Sequence, residues 1–347
     1  MAFNVTKQAQ RLPAAQMDAL AYNGLQVNGG FTVSQFNSGN VSAPTGTATY
    51  ILDGWQIVFI GTGTIIGRQQ TSSLPAGYTA GIDVEATAAI TSVANNDSLM
   101  LRHMVEGFRA ARLGWGTTFA QPLSYGFYVL PSVSGTFFVR VQNKSSSRFF
   151  YIEHAVTAGS WQWITGTVPG DTSTSAVWTT DNTIGMYFDI FLMGKSATVV
   201  PPSPPTSAGW TATGSNQTTN STNFYTSTNY VLFTGVTLLP GIELPSAARA
   251  PLIMRPYMQE LQLCQRYWER RFVTLQANGV GSSIETCPFV TQKRVGGPTM
   301  AVLGTPTTSN ASLTGFNYAD DVNTGLQFNT TVAGGYVSLS FSADARL

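Results

Sequence analysis

Thr136–Val156 reads "TFFVRVQNKSSSRFFYIEHAV", and its pattern decides the fold. Two runs rich in Phe, Val, Tyr and Ile flank an Asn-Lys-Ser-Ser-Ser turn. In the first run Phe138, Arg140 and Gln142 fall on one side and Val139 and Val141 on the other. That is the two-residue period of a strand, and the two runs predict a hairpin.

The same signal recurs along the chain. Thr49–Gly61, "TYILDGWQIVFIG", is broken by Asp53-Gly54, a hairpin-type dipeptide. In "GIDVEATAAI" (81–90), Ile82, Val84 and Ala86 alternate with Asp83, Glu85 and Thr87. "WQWITGTVPGDTS" (161–173), "NTIGMYFDIFLMG" (182–194) and "NYVLFTGVTLLPG" (229–241) add further strands. Many short strands at regular spacing predict an all-β chain built on a jelly-roll β-sandwich. The Pro-rich stretch 199–210 reads as a loop within it, because strand signals resume soon after.

Two helices interrupt this pattern. Pro13 and "AAQMDALAY" (14–22) predict a short helix with Met17, Leu20 and Tyr22 on one face. Pro256–Phe272, "PYMQELQLCQRYWERRF", predicts one amphipathic helix that connects two β domains. Met254, Tyr257, Leu261, Cys264 and Trp268 are spaced 3, 4, 3, 4, which suits a seam between helices of several chains. The same spacing also suits a helix packed on its own domain. Residues 280–347 return to strands, for example "ASLTGFNYA" (311–319) and "GYVSLSFSADARL" (335–347). The expected organisation is an attachment segment (1–27), a jelly-roll domain (28–250), a connecting helix (251–279) and a small C-terminal β domain (280–347). A domain that small, without a disulfide, gains stability by association.

Composition narrows the function. The 347 residues are 43% hydrophobic and 12% aromatic but only 10% charged, against roughly 25% charged in soluble domains. Hydroxyl and amide side chains supply the polarity. The net charge of +1 lacks the basic footprint of a nucleic-acid partner. The N-terminus has no apolar core of a secretion signal. Apolar runs such as Tyr230–Leu239 are too short and interrupted to span a bilayer. Two cysteines, Cys264 and Cys287, exclude a disulfide scaffold or a cysteine-rich zinc site.

No catalytic, metal or cofactor pattern stands out. Gly61, Gly63 and Gly67 echo a dinucleotide loop, but "QQTSSLPAGY" (69–78) follows where a helix is needed. His103 and His154 lack partners at ligand spacing, and Glu153 and His154 point to opposite faces of a strand. No Gly-x-Ser-x-Gly elbow occurs. The acids Asp83, Glu85, Glu106, Glu153 and Asp189 are scattered, although Asp83 and Glu85 share a strand face. Aromatics are the better lead. Trp115, Trp161, Trp163, Trp178, Trp210 and Tyr225 fall near loops and strand ends. Trp161, Trp163, Trp178 and Trp210 are the candidate glycan-stacking residues, with core packing as the competing role.

"LQVNGGFTVSQFNSG" (25–39) and "YILDGWQIV" (50–58) resemble the opening of carbohydrate-binding-like jelly rolls in bacteriophage tail-fibre and virion-appendage proteins. The matching residues are Asn28, Gly29, Gly30, Phe31, Asp53 and Trp55. "YMQELQLCQRYWE" (257–269) is similar to a segment that commonly follows, through Glu260, Leu261, Cys264, Gln265, Arg266 and Tyr267. The resemblance covers about residues 23–347. Calcium-holding relatives place an acid just after the turn, where this chain has Thr32.

The resemblance implies a non-enzymatic structural protein of a virion, assembled in the host cytoplasm. It would be a homotrimeric tail-fibre or appendage subunit, joined to other virion proteins through its N-terminal segment and contacting host-surface glycan. The alternatives are a capsid decoration or head-fibre protein without a receptor role, a polysaccharide depolymerase, and a cellular carbohydrate-binding module.

Overall fold

The computed structural model describes residues 24–244 and 246–347. The helix expected around Pro13–Tyr22 lies outside the described residues. The chain divides into two compact units. Of the described residues, one comprises 24–32 and Gly39–Pro256, the other Val33–Ser38 and Tyr257–Leu347.

The strands of the first unit are β1 (Val41–Ala43), β2 (Thr47–Leu52), β3 (Trp55–Ile60), β4 (Thr64–Gln70), β5 (Gly81–Ala88) and β6 (Ser98–Glu106). They continue with β7 (Leu123–Pro131), β8 (Gly135–Asn143), β9 (Phe149–Val156), β10 (Gln162–Val168), β11 (Ile184–Gly194) and β12 (Tyr230–Pro240). From β5 to β12 the chain is one long ribbon doubled on itself. β5 pairs with β12, β6 with β11, β7 with β10 and β8 with β9, all antiparallel. Winding the ribbon places these pairs alternately in two sheets, ordered β1-β4-β5-β12-β7-β10 and β2-β3-β6-β11-β8-β9. This is the expected jelly roll.

The hairpin read from Thr136–Val156 is β8–β9, with Gln142 opposite Phe149. Its turn is organised by one buried side chain. Asn143 accepts from the backbone N–H of Ser147 (2.9 Å) and Arg148 (3.1 Å), and its amide donates to the Ser145 and Ser147 hydroxyls. The inner faces of the two sheets meet in a core of fully buried side chains, including Tyr125, Phe127, Phe188 and Ile190. Burying each such side chain is worth about 1.5–3 kcal/mol.

The Asn-Gly-Gly-Phe turn is clamped onto this core. Asn28 and Phe31 both sit at φ 55°, a conformation Asn tolerates better than most residues. A Cβ on Gly29 would collide with the carbonyl oxygen of Val236, so only glycine fits there. The Trp55 indole N–H donates to the carbonyls of Val27 (3.0 Å) and Asn28 (3.1 Å). His103 stacks on Trp55, with ring centroids 4.7 Å apart. Its Nδ1 lies 2.7 Å from the Gly54 carbonyl, while Nε2 accepts from the Val27 N–H at 3.2 Å. Those partners require a neutral ring protonated on Nδ1.

The second unit holds two three-stranded sheets. One is β13 (Trp268–Gln276), β18 (Tyr336–Asp344) and β15 (Thr299–Ser309); the other is β14 (Gly281–Pro288), β17 (Asn323–Thr330) and β16 (Ala311–Ala319). Leu326, Phe328, Val337, Leu339 and Phe341 fill the space between them.

The connecting helix is shorter than its sequence suggested. It spans Tyr257–Gln265, and Trp268 already begins β13, pairing with Asp344. The β-branched and aromatic residues of "RFVT" (271–274) favour the strand. The five expected seam residues therefore share no single helix. Met254 precedes it, Tyr257 is 53% exposed, Leu261 is half-buried, and Cys264 and Trp268 are buried. Trp268 packs edge-on against Phe36 of its own unit.

Burial pushes the His103 pKa down to about 4 from 6.5. A folded-state value below the unfolded one means stability is complete above about pH 6.5 and is lost as pH falls toward 4. We expect the advantage of wild type over His103→Gln, measured by urea unfolding, to shrink by roughly 3 kcal/mol across that window. A pH-independent difference would contradict the buried neutral ring.

Candidate functional site

Of the tryptophans expected to stack on glycan, Trp178 and Trp210 are packed together among loops, while Trp161 and Trp163 lie half-buried on a sheet face. Trp210 is only 6% exposed and sits among Trp115, Trp178 and Phe150 at ring distances of 5.2–5.4 Å. Its indole N–H donates to the Pro169 carbonyl, and that of Trp178 to Asp171, which also pairs with Arg148. Neither ring of Trp210 has a free face for a sugar, so packing overrides the stacking role read from its loop position. Tyr225 is likewise buried, donating to the Val84 carbonyl.

Trp161 and Trp163 are half-buried and share the outer face of the first sheet with Tyr128. Trp161 donates to the Ser73 carbonyl and holds the 71–80 loop. Trp163 lies over Gly126 and packs on Tyr128 at 5.0 Å. Asp83 and Glu85 occupy the same sheet face, and one nitrogen of Arg68 bridges them at 2.5 and 2.6 Å. Burial pushes the Asp83 carboxyl up to about 6 despite that guanidinium. His154 accepts from or donates to Tyr125 at 2.6 Å, and burial holds its pKa down near 4. Among the described residues, no group of three or more His, Cys, Asp or Glu is placed to hold a metal ion.

The outer face of the second sheet is different. Residues 196–216 cross it, and they leave a cavity of about 390 Å³. It is lined by amides (Asn96, Gln142, Asn216), serine hydroxyls (Ser146, Ser196, Ser215), the rings of Phe149 and Tyr187, and the guanidiniums of Arg102 and Arg140. Three neighbouring strands supply its floor. Asp189 on β11 lies directly opposite Arg102 on β6 and Arg140 on β8. It is fully buried and accepts from Arg102 Nε (2.7 Å), Arg102 Nη2 (2.9 Å) and Arg140 Nη2 (2.9 Å). Burial alone would raise the Asp189 pKa, but the two guanidiniums win and hold it below the usual carboxylate range. Arg102 lies 4.4 Å from the Tyr187 ring centroid and Arg140 4.4 Å from that of Phe191, so aromatic faces share their charge.

Arg140 and Gln142 were visible in sequence as one face of a strand, but nothing marked them as a site. The available signal was charge inside apolar strands. Arg102 in "SLMLRHMVE", Arg140 in "GTFFVRVQN" and Asp189 in "IGMYFDIFLMG" each interrupt a run that is otherwise mostly apolar. A buried charge needs a partner, and only the register showed that the three partner one another.

No protein-family model and no curated protein matches the chain. Solved structures do resemble it. An arabinose-bound MgGH51 α-L-arabinofuranosidase is 11% identical with TM-score 0.34, over 63% of this chain and 26% of that one. The enzymatically active domain of bacteriophage CBA120 tailspike protein 4 is 7% identical with TM-score 0.35, over 63% and 22%. A family 11 carbohydrate-binding module from Clostridium thermocellum, in complex with a mixed-linked tetrasaccharide, is 9% identical with TM-score 0.28, over 60% and 100%. The chain thus spans about a quarter of the first two proteins. Likenesses this slight bear on neither ligand nor activity.

Replacing Asp189 with Asn should leave two guanidiniums without their counter-charge. We expect a loss of about 3–5 kcal/mol in urea unfolding at neutral pH. A loss below about 1 kcal/mol, as for an exposed pair, would show that the cluster is not a buried clamp.

Proposed function

We propose that the jelly-roll unit binds carbohydrate in the cavity above Arg102 and Arg140, and that the chain is a non-enzymatic structural subunit of a bacteriophage appendage. The cavity's chemistry carries the binding reading. A sugar presents hydroxyls that both donate and accept, and an apolar C–H face. The amides and hydroxyls of Asn96, Gln142, Ser146, Ser196, Ser215 and Asn216 meet the first need, and the half-buried ring of Tyr187 the second. Among the described residues, the one carboxylate at the cavity, Asp189, is fully buried and held by two arginines, so the reading is binding and not hydrolysis, which needs two facing carboxylates. The appendage role and a homotrimer rest on the sequence resemblance, not on the helical seam. Weak sites repeated on several chains would sum to firm attachment.

The test is binding of the labelled full chain to bacterial surface polysaccharides, with its solution mass measured alongside. Wild type should be retained and trimeric. Tyr187→Ala should weaken retention roughly tenfold, by loss of an aromatic contact, while Trp163→Ala should not. Loss through Trp163 alone would move the site to the other sheet. No retention would favour a decoration protein, release of reducing ends a depolymerase, and a monomer would remove the trimer.

A further inference from the structure

We propose that the cavity selects a carboxylated sugar, a uronate-type residue whose carboxylate docks on the Arg102–Arg140 pair. The inference rests on the carbohydrate reading above and adds the charge of the ligand.

The floor holds two guanidiniums and one carboxylate, and among the described residues no other charged side chain lines the cavity. The local charge is therefore one positive unit in excess. Asp189 occupies Nε and Nη2 of Arg102, while Nη1 of Arg102 meets no acceptor among the described residues. That side chain is 16% exposed, so a ligand can reach it. Arg140 is more deeply set, at 6% exposure. Its Nη2 bonds Asp189 at 2.9 Å, and its Nη1 bonds the Ser215 carbonyl at 3.1 Å and the Asn216 side-chain oxygen at 3.5 Å. The Nε–H of Arg140 is buried without an acceptor among the described residues. Buried N–H groups of a cation are rarely left unmatched, because desolvating them without a partner is costly.

Several features favour a carboxylate over other ligands. A monoanion cancels an excess of one charge, whereas a phosphate monoester, near −2 at neutral pH, overshoots it. The planar guanidinium fork matches a carboxylate. The remaining lining groups are neutral, so they suit the hydroxyls of the same sugar ring. The half-buried ring of Tyr187 stands beside Arg102 and leaves a wall for its C–H face.

The experiment uses the full chain and a panel of immobilised polymers. The carboxylated members are alginate, polygalacturonate, hyaluronate and polysialate; dextran, galactan and mannan are neutral, and phosphomannan carries phosphate. Each carboxylated polymer is also presented after reduction of its carboxyls to primary alcohols. We expect retention on at least one carboxylated polymer, falling roughly tenfold or more on carboxyl reduction and weakening as salt rises. Arg102→Lys, which keeps charge but loses the fork, should weaken it, and Arg102→Gln should abolish it. Since Arg102→Gln disturbs Asp189, the reduced polymers test the same point on wild type. Binding that survives reduction, or that prefers neutral polymers or phosphomannan, overturns the carboxylate while the carbohydrate reading stands. Retention on no polymer, charged or neutral, overturns the carbohydrate reading and this inference with it.

Discussion

One buried carboxylate ties the second sheet together. Asp189 sits on the middle strand of the β6-β11-β8 trio and takes hydrogen bonds from an arginine on each side. All three residues are directly opposite one another in register. A slip of one residue would turn the charges into the apolar sandwich core, because strand side chains alternate between faces. The cluster therefore sets register across three strands and, through the same geometry, forms the cavity floor. Its cost in desolvation is met by three charge-assisted hydrogen bonds and by aromatic rings over each guanidinium.

The jelly roll follows from local patterns that a sequence carries openly. Alternation in Thr136–Val156, the Asp53-Gly54 dipeptide and the regular strand spacing all act over a few residues, and the structure places strands at each. The Asn-Gly-Gly-Phe turn was legible for the same reason, since Gly29 has no room for a side chain. What sequence did not display was anything set by pairing over long separations. Residues 268–272, the end of the helix expected from sequence, instead begin a strand, paired with 340–344. Trp210 occupies a loop yet is buried by rings from distant segments. Arg102, Arg140 and Asp189 are separated by up to 87 positions, so only the fold unites them.

The two faces of the sandwich thus have different uses for the same residue types. On the first sheet, Trp161 secures a loop and the Arg68–Asp83–Glu85 bridge links β4 to β5. On the second, arginines and rings surround open space. Unmatched positive charge beside neutral amides and hydroxyls is the more informative signature, because it names a ligand's charge as well as its polarity.

The most direct measurement follows the arginine side-chain N–H resonances of the isotope-labelled full chain during titration with a carboxylated oligosaccharide. The account predicts that the Nε–H signals of Arg102 and Arg140 shift and saturate together, while the indole N–H of Trp163 stays in place. Movement of the Trp163 signal with both arginine signals unchanged would contradict it, and would put the binding surface on the opposite sheet.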